Sequence, residues 1–483
     1  MNIFAKKYIS LSLPMKATLW FTFSNFLIKG INFVSVPIFT RLLIPSEYGM
    51  LSVFASYEQI ILILATWEMQ MGAYQKGLFK YKEDITGFTN ATLALINILT
   101  IVVFSIIFLF FKPFSTFTQF SKNLTLLLFL YMFFQPAYYA WVVRKRTEYN
   151  YKAVVFATIG YCLINVLLPL AALFILPKTA TTKFSFNLIG SICFCLFFYV
   201  SIVRPQEIVA HRSQTKDYWK YLIGFSAPLA VHSLSYFFLS QSDRVMISKL
   251  CDNTQTAYYS VAYSVASAVN ILQNSINQSL LPWRYEMIEK RKYDKIRDVT
   301  NKLLLLIGGF ITAFIMIAPE FMRLFFQRNY YEAIWCIPPV SISVYFMFLY
   351  SVFVSIETYY ENTKYIMYVS VACSLLNVFL NYAFIKVFGY IACAYTSLFS
   401  YMLFAVGHFV FMRKVVNGVT NLQELFDIKF IVLFSLLITV LSFFITYLYR
   451  FIWLRYSIVL VFALVAAVKR NEIIKITRVL KER

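Results

Sequence analysis

Apolar runs of roughly 20 residues recur along the whole chain, each closed by a short turn holding Lys, Arg, Pro or Asn. A run of that length crosses a bilayer core as an α-helix, the one open-chain structure in which every backbone N–H and C=O is satisfied within its own segment. About fourteen such helices are predicted, near 18–40, 48–67, 86–111, 121–142, 153–176, 184–203, 219–242, 256–281, 303–326, 333–356, 365–386, 389–412, 429–449 and 451–468. The roughly ten-residue alternation of an outer-membrane β-barrel is absent. The expected fold is therefore all-α: a polytopic bundle.

One stretch departs from the uniform pattern. From Trp219 to Pro282 two spans flank a charged turn, and the second carries Asn270, Gln273, Asn274, Asn277 and Gln278 among its hydrophobes. Spacings of three and four put these carboxamides on one helical face while the other face stays apolar. Such a helix suits the wall of a solute cavity inside a membrane bundle, although interhelical hydrogen bonding would use the same residues.

Composition sharpens this reading. Of 483 residues 60% are hydrophobic and only 14% charged, with mean hydropathy +0.68. The net charge of +22 would suggest nucleic acid for a soluble protein; here it does not. Taken over the tails and alternate loops, 31 of the 44 Lys and Arg fall on one side. That is the positive-inside asymmetry, which predicts cytoplasmic termini. The seven cysteines lie in or beside spans without metal or redox spacing and read as small core hydrophobes. A short mixed run after Lys6 and Lys7 gives no expectation of a cleavable signal. The segment from Trp283 to Lys302 is expected to be a solvated linker helix, and the basic tail to lie on anionic headgroups.

A faint duplication orders the chain. Asn165 in LINVLL and Asn377 in LLNVFL are 212 apart, Arg41 and Arg244 are 203 apart, and Ser52 and Ser260 are 208 apart. The expected division is a first six-helix lobe over 1–203, a linker over 204–218, a second lobe over 219–412, two extra helices over 413–468 and a tail over 469–483.

Polar residues inside the spans are the candidates for chemistry. Lys29 sits near the middle of the first span, where an unpaired cation costs about 2.5–3.5 kcal/mol on insertion scales. It is a phosphate or pyrophosphate contact, a structural partner for Glu58, or a side chain that snorkels toward a helix end. Arg41 and Arg244 could present a planar fork to phosphate, or mark the interface. Glu58, Asp243 and His232 are the ion-coupling candidates, for H+ or Na+. No phosphate-binding loop, zinc-protease motif or dinucleotide fingerprint occurs, and the three histidines are scattered. No cofactor is expected.

The segment KATLWFTFSNFLIKGINFVSVPIFTRLLIPSEYGMLSVF, the central SDRVMIS with AYYSVAYS, and LLNVFLNYAFIKVFGYIACAYTSLFSY together resemble the bacterial polysaccharide biosynthesis flippases. These are the Wzx-type O-antigen and capsule-unit transporters of the multidrug/oligosaccharidyl-lipid/polysaccharide exporter superfamily. The resemblance spans about residues 16–412. It implies two six-helix lobes plus two helices, a central cavity alternating between sides, an inner-membrane location and an undecaprenyl-pyrophosphate-linked glycan as substrate. Polysaccharide polymerase or assembly proteins are implied as partners beside membrane lipids. Alternatives are a peptidoglycan-precursor flippase or a drug or cation exporter of the same superfamily. A membrane glycan polymerase or glycosyltransferase is the alternative from another class, for which a long outer loop or acidic cluster is expected.

Overall fold

The computed structural model describes residues 12–70, 72–203, 212–360, 363–417 and 425–458. Among these the chain is helical throughout, with no strand. Its α-helices are α1 (Leu13–Leu42), α2 (Pro45–Thr66), α3 (Gly72–Lys80), α4 (Ile85–Leu109), α5 (Phe111–Thr118), α6 (Lys122–Thr147), α7 (Tyr151–Ile175) and α8 (Ala180–Ile202), followed by α9 (Arg212–Leu250), α10 (Asn253–Glu289), α11 (Tyr293–Phe325), α12 (Ile337–Tyr359), α13 (Thr363–Phe388), α14 (Ile391–Val416) and α15 (Ile428–Tyr447). Thirteen predicted spans correspond to helices; the fourteenth, 451–468, extends beyond the described residues, as does the tail. Twelve helices are long and apolar enough to cross a membrane by composition. The amide-bearing α10 is not among them, because its polar face dilutes the hydropathy that the other face supplies.

Local chemistry sets the helix ends. Pro14 and Pro45 open α1 and α2, where a missing N–H costs nothing. Side-chain oxygens cap other starts: Asp84 accepts from Gly87 N at 2.9 Å, Ser121 from Leu124 N at 3.2 Å, and Thr179 from Thr182 N at 3.1 Å. Two short helices, α3 and α5, fill what the hydrophobic pattern reads as turns. The expected linker helix over 283–302 is not separate. Its halves extend α10 and α11 across a turn at 290–292, where Arg291 takes a positive φ of 53°.

Prolines also lie inside α1, α6, α7, α9, α10 and α11. Each deprives the carbonyl four residues earlier of its helical partner. At Pro169 that carbonyl, on Asn165, accepts from Asn187 Nδ2 at 3.1 Å. At Pro319 it belongs to Ile315 and accepts from the Tyr449 hydroxyl at 2.6 Å. The bundle supplies from a neighbour what the helix has lost.

The chain divides into two compact units, residues 1–260 with 370–390, and residues 261–369 with 391–483. In the first, aromatic rings knit α2 to α6's approach and to α8, with Phe54 edge-on to Phe120 at 4.9 Å and tilted on Phe184 at 5.5 Å. Gly49 of α2 lies against the start of α10, where an added Cβ would sit 1.7 Å from the Asn253 carbonyl oxygen. Only a hydrogen fits there. In the second unit α12 is the enclosed element, with Tyr345, Phe348, Val352 and Ile356 at or near zero exposure. It packs chiefly on α14, and α11 and α15 also lie against it.

Candidate functional site

The polar face of α10 forms as its spacing predicts, and it continues further than expected. Asn274 Nδ2 donates to Asn270 Oδ1 at 2.8 Å. Gln273 is buried, and its Oε1 has no hydrogen-bond partner among the described residues. Asn270 lines a cavity of about 10 Å³ with Tyr263, Ser267, Ser343, Ser397 and Tyr401, room for a single water. Two turns beyond Asn277, on the same face, Arg284 is 2% exposed. Its Nη1 donates to Ser355 Oγ of α12 at 2.7 Å and lies 3.5 Å from Asn277 Oδ1. Among the described residues no carboxylate forms an ion pair with it. The second unit thus holds a stripe of carboxamides ending in a cation whose partners are neutral. An unneutralised buried cation is costly, so the stripe is a place where an anionic group would be stabilised.

In the first unit Asp243 and Arg244 of α9 are both buried. The Asp243 carboxylate accepts from the Tyr259 hydroxyl and from Asn381 Nδ2, the latter at 2.6 Å. Asn381 Nδ2 also reaches Asn377 Oδ1 at 3.1 Å. Arg244 donates to Gln241 Oε1 at 2.5 Å and to the Ser240 carbonyl at 3.2 Å, with its guanidinium 5.9 Å from the Tyr259 ring. Tyr259 therefore touches both members of the pair. Asn165 Oδ1 accepts from Asn187 Nδ2 at 3.1 Å and from the Ser191 hydroxyl at 2.7 Å.

The remaining candidates are more scattered. Lys29 is part-buried on α1, and Arg41 is exposed in its last turn; neither makes a hydrogen bond or ion pair among the described residues. The structural alternative for Lys29, a pairing with Glu58, is not what forms. Glu58 instead takes a hydrogen bond from Tyr131 of α6 and faces Lys183 of α8, whose Nζ lies 4.5 Å over the Phe39 ring. His232 is part-buried on α9.

Four functional-looking residues escape the sequence reading. Arg284 falls there in the linker expected over 283–302, beyond the helix predicted to end near residue 281, yet its seven-residue spacing from Asn277 marks the same face. Lys183 counts as an interface charge. Glu357 and His408, both fully buried and paired at 3.1 Å, lie 51 residues apart and share no pattern. Two larger cavities also occur among the described residues. One of about 400 Å³ in the first unit is polar and includes Thr86, Asn90, Trp141, Arg144 and Lys145. One of about 320 Å³ in the second is apolar and includes Phe346, Met402, Phe409 and Ile431.

The described residues form an all-helical bundle with ionisable groups buried in both units, and solved structures share this fold. The lipid II flippase MurJ in its inward closed conformation matches with a TM-score of 0.66 at 15% identity, covering 94% of this chain and 100% of that one. An inward-facing multidrug resistance MATE family transporter of the MOP superfamily matches with a TM-score of 0.65 at 13% identity, covering 81% of this chain and 95% of that one. At such identities these likenesses establish the fold. The family model described as polysaccharide biosynthesis protein matches residues 15–288, more than half of the chain, and the MatE model matches residues 228–383. The chain belongs to the polysaccharide biosynthesis protein family and is a multi-pass membrane protein. A protein of the Lsg locus of Haemophilus influenzae is 26% identical over 100 residues, 20% of this chain and 25% of that protein. The match thus spans a quarter of the relative's length.

Proposed function

We propose that this chain is a flippase of the bacterial inner membrane that moves an undecaprenyl-pyrophosphate-linked oligosaccharide unit from the cytoplasmic to the outer leaflet by alternating access. The observation that carries the reading is the α10 stripe, in which four carboxamides lead to Arg284, a buried cation with neutral partners. Sugars offer hydroxyls that carboxamides can match in both directions, and a pyrophosphate offers oxygens that fit the guanidinium fork. In this scheme Lys29, Arg41 and Arg244 assist the phosphate, while Asn270, Gln273, Asn274 and Asn277 meet the glycan. Asp243, with its amide and phenol neighbours, is the first candidate for coupling to H+ or Na+, followed by Glu58 and His232. Two six-helix lobes over 1–203 and 219–412, cytoplasmic termini and cooperation with a glycan polymerase belong to the same proposal.

The test is genetic and chemical. Deleting the gene is expected to abolish the surface glycan and to accumulate its lipid-linked unit on the inner leaflet. Re-expressing the wild type is expected to restore display, and Arg284→Gln to fail although it reaches the membrane. Unchanged display without the protein would remove the proposal. A peptidoglycan-precursor flippase, the reading that the MurJ likeness favours, would instead make depletion lethal with precursor build-up.

A further inference from the structure

Glu357 and His408 are the only oppositely charging pair among the described residues in which both side chains have zero exposure. His408 Nδ1 lies 3.1 Å and 3.3 Å from the two carboxylate oxygens, so the ring is held by the whole carboxylate. The Tyr350 ring at 5.8 Å and the Phe404 ring at 4.6 Å cover the imidazole. Its other nitrogen, Nε2, is buried and has no hydrogen-bond partner among the described residues.

The surroundings supply little to balance charge. On α12 the nearby titratable groups are Tyr350, which faces Tyr263 of α10, and Tyr359, two residues from Glu357, with its ring 5.4 Å from that of Tyr285. Arg284 of α10 reaches α12 at Ser355, two residues from Glu357, but its hydrogen bonds go to Ser355 and Asn277 and no ion pair joins it to Glu357. On α14 Phe404 covers the ring, Tyr401 lies against Phe404, and the next charges are Arg413 and Lys414 in the last turn; α13, which meets α14 where Val369 abuts Gly407, brings Tyr365 against Phe411. On α11 the groups at the corresponding end are Tyr293, at Tyr360, and Arg297, turned to Asp298. Between Lys429 and Tyr447, α15 has no ionisable residue.

We propose that Glu357 and His408 form a one-proton binding site in the second unit, loaded while the pair is enclosed and emptied when it meets water. With a neutral ring and an ionised carboxylate the pair carries one negative charge. Adding one proton, to a ring nitrogen or to a carboxylate oxygen, forms a single N–H or O–H bond and makes the pair neutral overall. An enclosed apolar setting disfavours the net-charged form, whereas a hydrated one tolerates it. Water reaching Nε2 or the carboxylate is therefore the event that lets the proton leave, and closure is the event that retains it. The site shares no residue with the Asp243 cluster. Its role in driving transport rests on the flippase reading; its proton occupancy does not.

The full-length protein, isotope-labelled at histidine, is reconstituted into phosphatidylethanolamine–phosphatidylglycerol vesicles. With only three histidines in the chain, nuclear magnetic resonance can assign each imidazole. The His408 signal is expected to keep its proton against an alkaline change of buffer far longer than His232, and Glu357→Gln is expected to abolish that protection. A His408 signal that follows the buffer as quickly as an exposed imidazole overturns the proposal, and this measurement on the wild type decides even if the variant does not fold. In cells lacking the native copy, Glu357→Gln is expected to lose glycan display and its sensitivity to a protonophore, with partial recovery in Glu357→Asp. A Glu357→Gln protein that displays glycan with wild-type protonophore sensitivity also overturns it. If cells need no copy of the protein for display, the flippase reading falls while the resonance result still decides the proton site.

Discussion

Helices α1 and α12 are both apolar spans, with mean hydropathies of 1.2 and 1.8 over their most apolar stretches, yet 6% of that stretch is buried within the protein in α1 against 83% in α12. Hydropathy measures compatibility with a bilayer core and is silent about which neighbours a helix acquires. Enclosure by α10, α11, α14 and α15 lets α12 carry Ser341, Ser343, Ser355 and Glu357, all buried. The outward-facing α1 buries only Ala17, Ser24, Pro37, Phe39 and Thr40. Ser24 spends its hydroxyl on Thr158 of α7 at 3.4 Å. A polar group on α12 is surrounded by possible partners; on α1 it must find one on a single side or face lipid.

The same substitution on the two helices should separate them most strongly. Phe348→Ala on α12 removes a fully buried ring and is expected to cost about 3–5 kcal/mol, read as a lower unfolding midpoint in detergent. Next comes Ser355→Ala, which takes from Arg284 its 2.7 Å acceptor and is expected to cost about 1–3 kcal/mol, as for any buried donor left unsatisfied. A midpoint unchanged in both variants would mean that α12 is not enclosed.

Outside the spans the scale drops. At the end of α6, burial works to raise the Glu148 carboxyl, but hydrogen bonds from Lys145 and Arg144 outweigh it and hold the group below the usual carboxylate range. A lowered folded value contributes stability above the unfolded carboxylate pKa and loses it as pH falls through the folded one. Because Glu148 and its partners are substantially exposed, the acid-sensitive contribution is below about 1 kcal/mol. Glu148→Gln should flatten that small slope on the acid limb of a stability-against-pH curve. The smallest effect belongs to Phe26→Ala on α1, where the ring is 69% exposed and the midpoint should move by no more than about 0.5 kcal/mol. A large loss there would indicate that a partner covers α1.

These contrasts explain what could be read from the chain. Period and length located thirteen helices, because crossing a bilayer imposes both, and the carboxamide face of α10 was visible because three- and four-residue spacings are local. Arg284 lay one inference away, because residues 283–302 read as a linker separate from the helix predicted over 256–281. The partners of Glu58 and Glu357 were out of reach. Lys183 and His408 come from distant helices, and which helices touch is decided by packing that no single-span pattern encodes. Asp243 was singled out, but its dependence on Tyr259 and Asn381 needed the fold. The short α3 and α5 were missed because eight or nine residues carry too few turns for a period to declare itself.

The interior prolines have a mechanical corollary. A proline break alone is a loose hinge, but at Pro169 and Pro319 the spare acceptor is tethered to Asn187 of α8 and to Tyr449 beyond α15. Flexing α7 or α11 at its break while retaining that tether obliges the attached segment to travel with it. The joint works as a linkage that passes a tilt sideways instead of dissipating it.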